Sequence, residues 1–323
     1  MKVFITGVAG FIGSNLTGCL LKNGISVSGI DNFSYGNLRN IKPFLNHKNF
    51  NFINGNLTDA RLIKNTKADV FVHLASQKIP RYSTGLRTLD ENYCMTKNVI
   101  TKCLKDKSKL VFASTSDVYG KNQHVPFSEE SDLVLGNPQI KRWYYASSKI
   151  YGEQLIVAHH EEHGLNYSIA RFFGAYGPKQ NLTWWGGPQS VFIANALLRK
   201  PLEIHGNGLQ TRTFTYIDDT ISALMNLVTD KKANGETFNI AGNPADEITI
   251  LDLAKKIWKG VNENSKPKIK FIPYSTFGNY EDVMRRVPDI SKLKRFFNFK
   301  PRFTLDQGLN KTIEWQKGCE KNE

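Results

Sequence analysis

Short apolar runs alternate with longer amphipathic stretches along this chain, and the alternation begins at once. Lys2–Thr6 reads as an apolar strand, and the amphipathic stretch behind it as a helix to about Lys22, stopped by Asn23-Gly24. A second strand ends at Asp31, with a third over 49–55 and a fourth over 69–75. Residues 89–105 read as a helix, 109–114 as the fifth strand, 143 to about 163 as a helix and 167–173 as the sixth strand. Strands alternating with helices over 1–180 predict an α/β fold, a doubly wound parallel sheet that takes its ligands at the carboxyl edge. The Gly- and Trp-rich loop NLTWWGGPQS then marks a change of composition. It opens a smaller C-terminal lobe over 181–323, some of whose strands and helices return to the first domain. Helices are expected there over 190–199, up to about 230, over 248–260 and over 305–317, with a strand in KIKFIP and the segments LEIHGNG, TRTFTYIDD and ETFNIAG between them.

Composition narrows the class without changing this picture. With 323 residues, 40% hydrophobic and 22% charged, the chain is a globular protein of one large domain or two lobes. No apolar run approaches the ~18–20 residues that span a bilayer, and no signal-peptide pattern precedes the first strand. Cys19, Cys94, Cys103 and Cys319 are scattered and make no metal-ligand spacing, so reduced thiols, no metal site and a cytoplasmic location are expected. The net charge of +14 is diffuse, much of it on 253–270 and 291–300. Without an aromatic-and-basic recognition module, it reads as solvated basic faces rather than a nucleic-acid surface, and it is compatible with a phosphate-bearing ligand.

The candidate chemistry starts at the first turn. Gly7, Gly10 and Gly13 lie between the first strand and the first helix, where glycine lets the backbone approach a pyrophosphate and the helix N-terminus offers free N–H groups. Asp31, ending the second strand, can accept bonds from both adenosine ribose hydroxyls and would repel a 2′-phosphate. That favours NAD over NADP, with Arg39 close enough to soften the choice. Lys78 follows the fourth strand, placed either to reach a ribose hydroxyl or phosphate or simply as a loop lysine. Thr115, Ser116 and Asp117 end the fifth strand, where hydroxyls bond a substrate oxygen or cap the turn. Tyr145 and Lys149 are four apart on a predicted helix and so share a face. An ammonium beside a phenol favours phenolate and would draw the tyrosine toward working pH as a general base. The spacing alone also suits a surface helix with one buried aromatic.

These motifs coincide at mutual spacings that make the chain resemble the extended short-chain dehydrogenase/reductase family. The likeness is to its nucleotide-sugar epimerases and dehydratases, of UDP-glucose 4-epimerase type. The resemblance is carried by TGVAGFIGS, Asp31, HLAS, ENYCMTKN with Asn92, STSDVYG, the Tyr145–Lys149 pair, RFFGAYGP, QTRTFTYIDD with Arg212 and RRVPDISKLK. It covers nearly the whole length.

The resemblance implies bound NAD and a dinucleotide site made of Gly7, Gly10, Phe11, Ile12, Gly13, Asp31, Asn32, Asn56 and Leu57. Leu74, Ala75, Ser76, Lys78, Asn92, Tyr145 and Lys149 complete that site. It implies Tyr145 as the base at a sugar hydroxyl, Lys149 on the nicotinamide ribose and Thr115 on the same sugar oxygen. It places Thr115, Gly174, Val191, His205, Arg212 and Arg286 around a nucleotide-sugar, most often UDP-linked, with the two arginines on the diphosphate. His205 would lie against the base, and Asn92 would support water or backbone near Lys149. Homodimers through the helices at 89–105 and 143–163 are also implied, with Ile150, Leu155 and Ile156 as apolar contacts.

Three departures from the family pattern bear on the reaction. Asn56 stands where the family has aspartate and still has a donor and an acceptor for adenine. Gly174 replaces a sugar-contacting asparagine, which opens room beside the sugar or passes the role to the Trp184-Trp185 loop. Thr115-Ser116-Asp117 replaces the Thr-Asp-Glu of 4,6-dehydratases and resembles the Thr-Ser-Glu of glucuronate decarboxylases with a shorter acid. A 4-epimerase needs only Tyr145, Thr115 and Lys149, so epimerisation through a 4-keto sugar is the expected reaction. Dehydration with Asp117 as acid or base and decarboxylation are the alternatives. A non-enzymatic dinucleotide sensor would usually have lost Tyr145 or Lys149.

Overall fold

The computed structural model of the chain describes residues 1–78, 84–263 and 265–320. The first six strands are β1 (Lys2–Thr6), β2 (Ser26–Asp31), β3 (Phe50–Asn54), β4 (Val70–His73), β5 (Lys109–Thr115) and β6 (Tyr167–Phe172). Next come β7 (Ala175–Tyr176), β8 (Leu202–His205), β9 (Thr211–Arg212), β10 (Thr215–Tyr216) and β11 (Glu236–Ile240). The last three are β12 (Ile248–Thr249), β13 (Ile269–Ile272) and β14 (Arg285–Arg286). The helices are α1 (Phe11–Lys22), α2 (Leu38–Ile41), α3 (Gly85–Asp106), α4 (Arg142–His163) and α5 (Pro188–Leu197). They continue with α6 (Ile217–Thr229), α7 (Ile250–Val261), α8 (Ser291–Phe297) and α9 (Leu305–Glu320).

Among the described residues one parallel sheet of seven strands runs in the order β11-β6-β5-β4-β1-β2-β3. This is the doubly wound α/β sheet. β1 alternates its side chains between two apolar layers: Val3 and Ile5 enter one core, and Phe4 enters the other with Phe71, Leu110, Phe112 and Ile169. Both faces are covered, so these strands read as apolar runs rather than as hydrophobic–polar alternation. The chain winds away from β1 in both directions, through β2 and β3 on one side and β4 to β6 on the other, leaving a crevice at the carboxyl ends where the direction reverses.

β11 lies at the edge of this sheet beside β6. The chain after residue 180 therefore leaves and re-enters the first domain. The remaining strands make small sheets, β12-β9-β14, β13-β8 and β10-β7. Register in the three-stranded sheet sets Arg286 beside Arg212. The short helices α2 and α8 lack a periodic signature long enough to be read from the sequence. Side-chain capping by Asn37 starts α2.

α3 and α4 pack against one another. Ile156 is fully buried in the core, with Leu155 packed against the same cluster and Ile150 against another. Ile156 is thus used within the chain, and Ile150 and Leu155 in part. The exposed apolar positions on the two helices are Leu86, Leu89, Tyr93 and Tyr151. All four cysteines are free thiols. No group of metal-ligating side chains occurs among the described residues, and no helix there is long and apolar enough to cross a membrane.

Candidate active site

A cleft of about 970 Å³ runs across the carboxyl edge of the sheet and into the second lobe. One end is built by the first turn. Gly10 caps α1 without any side-chain bond, so the first N–H groups of the helix stay directed at the cleft. Gly7 has φ +72°, and a Cβ on Gly13 would collide with the Gly7 carbonyl, so this turn tolerates no side chain at either position. The Asp31 carboxylate is fixed by the N–H groups of Ala9, at 2.9 Å, and Phe33, at 2.8 Å. Burial raises its pKa, and those backbone bonds oppose the rise. Phe11, Ile12, Asn32, Asn56, Leu57, Leu74, Ala75, Ser76 and Lys78 line the same end or the floor beyond it. The bare glycine turn and a carboxylate at the end of β2 fit a dinucleotide with a free ribose diol. Asn92 does not line the cleft. It clamps the backbone of Gln77, accepting from its N–H at 2.7 Å and donating to its carbonyl at 2.9 Å, and also donates to Ser148.

The middle of the cleft holds the tyrosine and lysine on one face of α4. Lys149 is 3% exposed, donates to the Ala113 carbonyl at 2.7 Å and sits 5.8 Å from the Tyr145 ring centroid. Burial brings its pKa down to about 7, opposed by Glu153. Burial also pushes the Tyr145 phenol well above its ordinary range. Asp117 adds to the rise, and the hydroxyls of Thr115 and Ser76 pull against it. This differs from the expectation that the lysine draws the phenol down. Desolvation of the phenolate is the larger effect.

At the far end three arginines converge on two carboxylates. Asp117 Oδ1 accepts from Arg286 at 2.6 Å and from Arg142 at 3.0 Å, and Arg286 also donates to Ser116 at 3.2 Å. Asp282 Oδ1 pairs with Arg212 and Arg142, each at 3.0 Å, while Tyr274 donates to its other oxygen at 2.9 Å. Burial works to raise the Asp117 pKa, but Arg286, Arg142 and Arg212 outweigh it and hold the carboxyl below its usual range. Arg212 is pulled down to about 10 by burial and by Arg286. Three guanidiniums against two carboxylates leave one unit of positive charge facing whatever anion enters.

The Trp184-Trp185 loop joins the two ends. Trp185 stacks face to face on Tyr35, with centroids 3.4 Å apart, and Trp184 stacks on His205 at 4.2 Å. Lys78 Nζ lies 5.8 Å from the Trp185 ring centroid, and burial brings its pKa down to about 8. At Gly174, which has φ +44°, a Cβ would lie 2.8 Å from the Phe214 ring and 3.0 Å from the Thr213 carbonyl. No room has opened there, because Phe214 occupies it. Val191, on α5, is not among the residues lining the cleft.

Sequence reasoning missed Arg142, Asp282 and Tyr280, whose hydroxyl accepts from Arg142 at 2.7 Å in the same cleft. Arg142 did carry a signal: it lies three residues before Tyr145 on the same helix, one turn away. Tyr280 and Asp282 carry none, because they join the site only through the fold.

The GDP-mannose 4,6 dehydratase family model matches residues 4–312. The UDP-N-acetyl-alpha-D-glucosaminuronate decarboxylase of Bacillus cytotoxicus is 34% identical over 327 residues, covering 99% of this chain and 99% of that protein. The UDP-glucuronic acid 4-epimerase of Bacillus cereus, solved with UDP-glucuronic acid and NAD, superposes with a TM-score of 0.87 at 29% identity, over 99% of this chain and 100% of that one. The dTDP-glucose 4,6-dehydratase of Bacillus anthracis, solved with NAD, gives 0.86 at 27% identity over 99% and 98%. These similarities cover the glycine turn, the tyrosine–lysine helix and the arginine end together. The chain belongs to the GDP-mannose 4,6-dehydratase family of the extended short-chain dehydrogenases/reductases, an NAD-dependent enzyme of the nucleotide-sugar epimerase, dehydratase and decarboxylase group.

Proposed function

We propose that this enzyme is a nucleotide-sugar 4-epimerase acting on a UDP-linked sugar through a transient 4-keto sugar. The glycine turn and Asp31 would hold NAD, which when bound would supply a reversible hydride acceptor for C4. Tyr145 takes the C4 hydroxyl proton and later returns it, Thr115 bonds the same oxygen, and Lys149 holds the nicotinamide ribose. Arg212 and Arg286 neutralise the diphosphate, with His205 and Trp184 beside the base. Rotation of the keto sugar between the two half-reactions then inverts C4.

The observation that carries this reading is the state of Asp117. Two arginines hold it as a carboxylate, so it has no proton to give a departing C6 hydroxyl, and its Oδ1 is shared by both guanidiniums rather than left free to take a C5 proton. Epimerisation asks for no such acid. A second reading is supported by the 34% identity to a decarboxylase. In a 4-keto uronate, loss of carbon dioxide leaves the C5–C6 electron pair on the keto sugar, and a proton at C5 completes the step. Incubation with UDP-glucose and UDP-glucuronate plus NAD, followed by proton NMR, tests both. A C4 epimer without net NADH supports epimerisation. A pentose with carbon dioxide supports the second reading and overturns the first.

The protein acts as a homodimer in this proposal, paired through α3 and α4, where Leu86, Leu89, Tyr93 and Tyr151 are exposed. Sedimentation of the wild type and a Leu86→Glu, Tyr151→Glu variant tests it. A monomeric wild type would contradict it.

A further inference from the structure

α4 and β5 are joined by more than the tyrosine–lysine pair. Tyr145, Lys149 and Glu153 recur at four-residue spacing and share one face of the helix. Each meets one of three consecutive residues of β5. Tyr145 meets the Thr115 hydroxyl, Lys149 donates to the Ala113 carbonyl, and Glu153 accepts from the Ser114 hydroxyl. Glu153 is 7% exposed and is held on its far side by Arg171 of β6, through contacts of 2.6 Å and 3.0 Å. Arg171 is itself fixed by the Tyr119 hydroxyl at 3.1 Å and the Glu129 carbonyl at 2.9 Å.

A buried ion pair contributes little net stability against an apolar replacement of similar volume. Its position one turn from Lys149 gives this pair another use. We propose that Glu153 is a positioning residue of the redox centre, its carboxylate keeping the buried Lys149 charged and directed at β5.

Burial favours the neutral amine, and Glu153 is the charged group that opposes it. The other ionisable groups around Lys149 are Tyr145 on α4, the fully buried His73 on β4 and Asp117 beyond β5. On α3 there is Glu91, which is engaged by Arg87 and Gln77. Arg171 stands behind Glu153 and weakens its field without removing it.

The inference rests on Lys149 belonging to the proposed redox centre, but its test needs no turnover. The NAD-loaded full chain is labelled with [6-13C]lysine, and the Lys149 Cε resonance is assigned by its loss in Lys149→Met. Glu153→Gln lowers the Lys149 titration midpoint by roughly one pH unit, and Glu153→Asp lowers it less. Arg171→Met strips the carboxylate of its counter-ion and moves the midpoint up, which keeps the test alive if Glu153→Gln does not fold. Midpoints that stay at the wild-type value in both Glu153→Gln and Arg171→Met overturn the proposal. A failure of the epimerase reading, with decarboxylation found instead, leaves this titration unaffected and so stays distinguishable.

Discussion

Asp117 Oδ1 lies 2.6 Å from a terminal nitrogen of Arg286, and the same oxygen is 3.0 Å from Arg142. One carboxylate oxygen is thus shared by guanidiniums from two parts of the chain, β14 and the start of α4. The contact fixes Asp117 as an acceptor and ties β14 to the helix that carries Tyr145.

Replacing Asp117 by asparagine keeps an acceptor but unbalances the two arginines. Turnover is expected to fall about 10- to 150-fold, in line with roughly 1.5–3 kcal/mol for a hydrogen bond to a charged group, and the product to stay the same. Proton NMR of the product mixture checks this. A change of product, or complete loss of turnover with UDP-sugar binding intact, would make Asp117 a proton-transfer group after all.

Tyr145→Phe removes the base and leaves the dinucleotide end untouched. Turnover should drop by about 10²–10⁴, while NAD affinity by calorimetry stays near wild type. A variant with wild-type turnover would remove Tyr145 from the chemistry.

Acid should loosen the second lobe before the sheet. Asp117 and Asp282 are both depressed below their ordinary values, chiefly by the arginines that outweigh burial. Depressed carboxylates contribute stability that is fully present above their unfolded value, about 3.9, and is lost as pH falls through the folded values. Urea unfolding at pH 6 and pH 3 should show that loss. Asp282→Asn, costing about 3 kcal/mol at pH 6, should show a smaller difference between the two. An equal difference in both proteins would place the acid-sensitive groups elsewhere.

Gly174→Asn restores the residue common in the family but drives a Cβ into Phe214. A loss of about 1–3 kcal/mol is expected, with Phe214→Ala recovering part of it. Thermal unfolding of the single and double variants decides. An unperturbed single variant would mean that the ring swings aside at no cost.

The stack of Trp185 on Tyr35 bridges the cofactor side and the second lobe. Trp185→Ala should speed NAD dissociation about tenfold, the kinetic equivalent of roughly 1.5 kcal/mol at the top of the range for an aromatic pair. Stopped-flow displacement measures it. An unchanged rate would mean the stack gates nothing.

How much of this was legible depended on how far apart the residues lie in sequence. The glycine turn, Asp31 and the Tyr145–Lys149 pair each sit within one strand–turn–helix or one helix, where spacing alone sets geometry. The arginine end assembles residues 117, 142, 212, 282 and 286 from four segments, and only the fold beyond the first sheet brings them together. Burial was the other hidden quantity. The lysine was expected to acidify Tyr145, but the depth of both groups reverses the balance. Gly174 was expected either to leave space or to pass its role to the Trp184-Trp185 loop; a side chain there would meet Phe214, between β9 and β10. β11 lies more than 60 residues beyond β6, so its place at the sheet edge follows from topology rather than pattern.

The central claim is that oxidation at C4 leads to inversion and to nothing else. The most direct measurement is proton NMR of UDP-glucose and UDP-glucuronate incubated with the NAD-loaded enzyme in deuterated water. A C4 epimer of one of them is expected, with its C5 and C4 protons unexchanged, no net NADH and no carbon dioxide. Deuterium at C5, a 4-keto-6-deoxy sugar or a pentose product would contradict it.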